Sequence, residues 1–185
     1  VTPGDTPGFP VTLSQPGTYR LTSDLVVPQW SAGVIIQSAF VTLDLNGFSI
    51  RSTNQCTANT YTQMLDCATP SQSTAHGVVS YNNHTVIRNG RIFGFPGHGI
   101  YGFGGEHLQD LMVYFNARYG YVGVQDHNTT PRPGHISASR FFSNGHTGAF
   151  VKNTLIERSQ FSYNRSRGLR TYGGTLIDSM IVGNF

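Results

Sequence analysis

Charge is scarce in this chain. Asp and Glu number nine and Lys and Arg twelve, so charged residues make up 11 % of the 185, well below the roughly 25 % of ordinary soluble domains. Lysine occurs once, at Lys152; the other positive charges are arginines. So thin a supply excludes long surface helices laced with i, i+4 ion pairs. Nine carboxylates are also few for a calcium site, which consumes several at once. The two cysteines form no C-x-x-C pair and the seven histidines no His-x-His, so neither a metal nor a cofactor is expected. No apolar run reaches the roughly 18 residues of a membrane-spanning helix.

Glycine is abundant instead, with 22 residues, alongside many Ser, Thr and Asn. This composition suits short strands joined by tight turns around a thin core, since hydrophobic residues reach only 38 %. The formal charge of +3 and the pI of about 9.0 suit an anionic partner. Nucleic acid would call for a denser basic stripe and is not expected.

The glycines recur with a period. Asn116, Asn144, Asn164 and Asn184 each close a phrase, in steps of 28, 20 and 20 residues by subtraction. Three residues before each stand Val113, Phe141, Phe161 and Ile181; eight before stand Leu108, Ile136, Ile156 and Leu176. Five before stand Leu111 and then Ser139, Ser159 and Ser179. Gly99, Gly120, Gly148 and Gly168 open the phrases, and an earlier copy puts Gly77 in that column and Phe95 in the asparagine column. A looser copy begins at Gly33. A repeat of about 20–22 residues signals a solenoid. Pieces such as "GAFV", "TLIERS" and "QFSYN" alternate apolar and polar, which predicts three short strands per coil. The fold class is therefore all-β, a parallel β-helix of about six to seven coils stacked about 4.8 Å apart. Stacked asparagines can then hydrogen-bond one another and cap the turn backbone, and the serines do the same more weakly.

"LIERSQFSYNRS", "LIDSMIVGNF" and "VTLDLNGFSI" resemble the repeats of right-handed parallel β-helix proteins of the pectate-lyase-like superfamily. "FPVTLSQPGTYRLTSDLVV" resembles the segment that leads into the first coil of such proteins. The resemblance covers about residues 8–185 and implies a fold more firmly than an activity. Superfamily members include polysaccharide lyases, glycoside hydrolases, C5-epimerases, phage depolymerases and non-enzymatic surface proteins. The expected organisation is a lead-in and cap over 1–30 and the β-helix over 31–185, with insertions near 52–75 and 125–134.

Column positions predict which side chains face out. Beside the opening glycines stand His76, His98, Tyr119 and Arg167. Next come Val79, Tyr101, Val122, Phe150 and Arg170, then Tyr81, Phe103, Val124, Lys152 and Tyr172. Together with Arg118 they make one expected face rich in His, Tyr, Phe, Arg and Lys and nearly free of carboxylates. Such a face suits an extended acidic polysaccharide: aromatic rings stack on sugars and guanidinium groups grip carboxylates. β-Elimination from a uronic-acid glycan needs a base, an acid and a charge neutraliser, for which His76, His98, Tyr101, Tyr119 and Arg170 are the candidates. Tyr81, Phe103, Arg118, Phe150, Lys152, Arg167 and Tyr172 are the candidates for substrate binding. Three alternatives stay open: a non-catalytic glycan-binding or surface module, a hydrolase built on Asp126 and Glu157, and a C5-epimerase, whose motif "QDHN" matches only faintly.

The chain opens at Val1 on "VTPGDTPG", which reads as the start of a processed, secreted chain, periplasmic or extracellular. In that compartment Cys56 and Cys67 are expected to form a disulfide closing the polar insertion, worth about 2–3 kcal/mol. Asn83, Asn128 and Asn164 lie in glycosylation triplets, but Asn164 also occupies the repeat column and reads as a stacked turn residue. The last coil has no visible cap, and Leu169, Leu176, Ile181 and Phe185 are expected to meet water or a partner, a second copy of the chain being one way to cover them.

Overall fold

The computed structural model describes residues 8–53, 56–58, 65–67, 74–82, 84–123 and 133–185. It is all-β: no helix occurs among the described residues, strands make up 52 %, and the main sheet is long, mostly parallel and unclosed, consistent with a solenoid.

Three parallel ladders run side by side. In the first, Val11–Leu13 pairs with Val34–Ile36, then Val78–Ser80, Ile100–Gly102, Tyr121–Gly123 and the opening residues of Ala149–Glu157 and Leu169–Ile177. In the second, Gly17–Arg20 pairs with Val41–Asp44, then the first half of Val86–Phe93 and of His107–Tyr114, then Gly134–Ser137. In the third, Leu25–Val27 leads through Ser49–Ser52 and the second halves of Val86–Phe93 and His107–Tyr114 to Arg140–Phe142, Gln160–Ser162 and Met180–Val182. Residues 11–27, read as a lead-in, thus already supply the first strand of every ladder.

Residues with positive φ carry the chain between ladders. Asn89, Asp110, Ala138, Arg158 and Asp178 all take the left-handed conformation at the corner between the second and third ladders. Phe115, Ser143 and Tyr163 do so after the third. The conformation costs about 1–2 kcal/mol for most residues with a Cβ, and less for Asn and Asp. At Ala138, Arg158, Phe115, Ser143 and Tyr163 the coil, rather than local preference, dictates the bend.

The core is a stack of apolar columns. Val78, Ile100 and Ala149 are fully enclosed, as are Ile87, Leu108 and Ile136 and the rings of Phe141 and Phe161, whose centroids lie 5.3 Å apart. The asparagine column runs beside them and works as expected. Asn144 Oδ1 accepts from the backbone N–H of Asn116 at 3.3 Å and from its Nδ2 at 3.0 Å. Asn164 Oδ1 accepts from Asn144 in the same way, and Asn184 Oδ1 from Asn164. Each Nδ2 also donates to a strand carbonyl: Asn144 to Val113, Asn164 to Phe141, Asn184 to Phe161. Phe95, which occupies this column without an amide, donates its backbone N–H to Asn116 Oδ1. Serines form the parallel device, with the Ser139 N–H on Ser159 Oγ and the Ser159 N–H on Ser179 Oγ. The opening glycines follow from this packing: a Cβ on Gly99 would lie 2.5 Å from Val113 Cγ1, and one on Gly148 would lie 2.7 Å from Asn164 Nδ2. Asn164 is wholly buried with its amide engaged, so its triplet cannot serve as a glycan acceptor in the folded chain.

The insertion after Ser52 forms a short antiparallel pair, Cys56–Ala58 with Leu65–Cys67, in which Cys56 stands opposite Cys67. The side chains of both cysteines, and with them the expected disulfide, lie outside the described residues, as do Asn83, Asn128 and most of the second insertion.

The buried asparagine ladder generates a stability prediction. Asn144→Ala strands the two Asn116 donors and frees Val113 O, which should cost about 3–5 kcal/mol. Asn184→Ala removes the same groups where the ladder is partly exposed and should cost about 1–2 kcal/mol. Urea unfolding of the two variants decides it; equal costs would show that burial of the ladder does not matter.

Candidate functional site

The first ladder carries the expected face, and its register confirms the columns. Tyr101 pairs with Val79 on one side and Val122 on the other, and Phe150 pairs with Val122 and Arg170. At the upper end lies a cleft of about 740 Å³. Of the expected residues it gathers His76, His98, Tyr101, Tyr81, Phe103 and Arg118. Tyr119, Phe150, Lys152, Arg167, Arg170 and Tyr172 lie outside it. Tyr119 lies between His98, tilted to it at 54° with centroids 5.2 Å apart, and His146, on which it stacks at 4.4 Å. Arg170 lies over the rings of Phe150, at 4.5 Å, and Tyr172, at 5.4 Å, and donates to the Tyr172 hydroxyl at 2.6 Å. Lys152 and Arg167 are exposed, Val124 and Asp126 lie outside the described residues, and no group of three metal-ligating side chains occurs among the described ones.

The cleft corrects the expected exposure of several residues. His76 and His98 are buried, at 8 % and 7 % exposure, and Val79 and Val122 are covered as well. The histidine rings lie along the stacking direction. They stack on each other at 4.8 Å, and Tyr101 stacks on both, at 5.0 and 5.6 Å. Each Nδ1 accepts a backbone N–H from the next coil: His76 from His98 at 2.9 Å, His98 from Tyr119 at 3.3 Å. A nitrogen that accepts carries no proton, so the neutral ring holds its proton on Nε2. Burial, aided by Arg118, lowers the His76 pKa to about 4; burial, with His76, Arg118 and His146, lowers that of His98 to about 3. At neutral pH both are therefore hydrogen-bond donors through Nε2–H, with no spare lone pair for a base. Burial, with a smaller contribution from Tyr81, raises the Tyr101 pKa, so its hydroxyl also stays protonated. The cleft thus offers N–H and O–H donors and a guanidinium among ring faces.

Sequence reasoning missed three contributors. Trp30, the only tryptophan of the chain, lines the cleft at 46 % exposure although it sits in the segment read as lead-in. Pro28, two residues before it, is a sequence signal of a turn that could aim it. Glu106 is buried and accepts from the backbone N–H groups of Phe103 and Gly104, both at 3.0 Å, and from the Tyr121 hydroxyl at 2.5 Å. It pins the turn that presents Phe103. Burial raises its pKa against those hydrogen bonds, and its carboxylate fills the space where Gly102 lacks a Cβ. The third is His146, buttressing Tyr119.

A second aromatic column, Phe93, Tyr114 and Phe142, stacks on the third ladder with centroids 4.8 Å apart at each step and planes within 12°. Its ring faces are spent on one another, and Arg140 covers the last at 5.4 Å, so it is poorly suited to stacking on sugars. In the cleft, by contrast, Tyr81 and Phe103 meet at 48° and Tyr81 is half exposed. On the second ladder His135 Nε2 lies 3.0 Å from Glu157, with His107 edge-on at 5.9 Å.

Compared with known protein families, curated proteins and solved structures, the chain matches none. No helix among the described residues is long and apolar enough to cross a membrane.

The buried histidines predict acid sensitivity. Unfolded histidine takes up a proton near pH 6.5, whereas His76 and His98 resist protonation until about pH 4 and 3. Their contribution is complete above pH 6.5 and is lost as the pH falls towards those values, at up to about 1.4 kcal/mol per pH unit for each ring. His76→Asn keeps an acceptor for the His98 N–H but does not titrate. Its unfolding free energy should fall less steeply than that of the parent between pH 6.5 and 4.5; parallel slopes would sink the assignment.

Proposed function

We propose that the chain is a secreted polysaccharide-binding protein whose three ladders are the faces of a right-handed parallel β-helix, similar to the pectate-lyase-like superfamily. An extended acidic glycan lies along the first face, with its sugars against Trp30, Tyr81, Tyr101 and Phe103 and its oxygens on Nε2–H, hydroxyl and guanidinium donors. The observation that carries this reading is the donor-rich, ring-lined cleft on a face where guanidinium groups recur. Binding is favoured over β-elimination because the two histidines proposed as bases use Nδ1 on the backbone and hold a proton on Nε2. Hydrolysis and epimerisation would both draw on Asp126, which lies outside the described residues.

Trp30 provides the test. Pectate, alginate or a glycosaminoglycan should change its fluorescence saturably, and Tyr101→Ala or Tyr81→Ala should weaken binding about tenfold, equivalent to about 1.4 kcal/mol. Absorbance near 235 nm, where unsaturated uronides absorb, should stay flat; a rise would restore the lyase reading. Absence of binding to every acidic and neutral glycan tried would remove the proposal.

A further inference from the structure

Phe103 reaches the cleft from a stretch of chain rich in glycine. Gly102 precedes it, and Gly104 and Gly105 follow it with φ of +97° and +84°. Glycine loses more freedom on ordering than any other residue, so an aromatic ring among three of them needs an anchor. The ring has a defined place all the same, 5.7 Å from that of Tyr81 and edge-on to that of Tyr101 at 6.2 Å.

The anchor is Glu106, at 1 % exposure. Its Oε1 accepts the Phe103 N–H, and its Oε2 accepts the Gly104 N–H and the Tyr121 hydroxyl. Gly102 and Gly123, paired in register, clear the space for both side chains. A Cβ on Gly102 would lie 2.5 Å from Glu106 Cδ, and one on Gly123 would lie 2.5 Å from Tyr121 Cζ. The preceding coil fills the equivalent place differently. Ser80 pairs with Gly102, Thr85 stands one coil from Glu106, and their hydroxyls bond to each other at 3.0 Å. Two small hydroxyls satisfy that coil, so a carboxylate reaching two turn amides is not what coil formation itself demands here.

We infer that Glu106 is a positioning residue for glycan binding: with Tyr121 it fixes the turn over residues 103–105 and so holds the Phe103 ring in the cleft wall before a sugar arrives. The ligand rests on the polysaccharide reading; the anchoring of the turn does not. A wall ordered beforehand spares the ligand the cost of immobilising residues 102–105. Removing the anchor therefore weakens binding although Glu106, being buried, touches no glycan.

Glu106→Gln keeps the shape and one acceptor but turns an NH2 group against a turn N–H. It should weaken oligogalacturonate, read from Trp30 fluorescence, about tenfold. Phe103→Ala should weaken it to a similar degree. Adding Glu106→Gln to Phe103→Ala should then cost no more than about twofold, because both act through one ring. Gly104→Ala, whose Cβ would lie 3.1 Å from Gly123 O at a positive φ, disturbs the turn and leaves the carboxylate in place. It should behave as Glu106→Gln does, and it serves where that variant does not fold. Hydrogen exchange at the Phe103 and Gly104 amides should be about tenfold faster in Glu106→Gln, with the Ile100–Gly102 strand unchanged. A full loss that persists in the Phe103→Ala background, or any of the single variants binding as the parent does, overturns the positioning role. If the parent answers no glycan, the polysaccharide reading falls and amide exchange decides alone. Fast exchange confined to the turn then keeps Glu106 as its anchor, and unchanged exchange overturns it.

Discussion

Every coil of this protein is held by backbone hydrogen bonds running from one strand to the next equivalent strand, about 4.8 Å away. That single constraint turns a repeat in sequence into columns in space. A residue that solves a problem in one coil must solve it again in the next, with its own copy as neighbour. Leucine above isoleucine buries both, and like charges above one another repel. The scarcity of charge in the chain follows from that geometry.

Turns expose the weakness of such a stack, because their backbone groups point along the axis into a thin core. Asn116, Asn144, Asn164 and Asn184 answer it with one side chain per coil, accepting from the coil before and donating to strand carbonyls. The amide is suited to this because it holds two donors and an acceptor in one plane. Glycine beside each amide gives it room. The histidines of the cleft repeat the device in another form, each Nδ1 taking a backbone N–H from the following coil. A residue type that suggests acid–base chemistry is thereby committed to structure on one nitrogen and left as a donor on the other.

The cleft owes its lining to departures from the repeat. Trp30 arrives from outside the regular columns, and Glu106 holds the turn bearing Phe103. The regular aromatic column of Phe93, Tyr114 and Phe142 shows the opposite case: perfect repetition spends the ring faces on each other.

The sequence by itself determined the strand content, the parallel stacking and the membership of the columns, because a fixed period states which residues are equivalent. The asparagine ladder was legible down to its individual members, Phe95 included. Which side of a ring meets a neighbour was not legible. His76 and His98 share the predicted column, yet stacking and backbone capture bury them, and Val79 and Val122 are outward but covered. Nor could the period place Trp30, which lies outside the regular repeat, or pair Glu106 with Tyr121 across the space that Gly102 leaves. Periodicity fixes a side chain's starting point and its inward or outward sense; where its atoms end depends on rotamers and on neighbours in adjacent coils, and only the tertiary structure decides those.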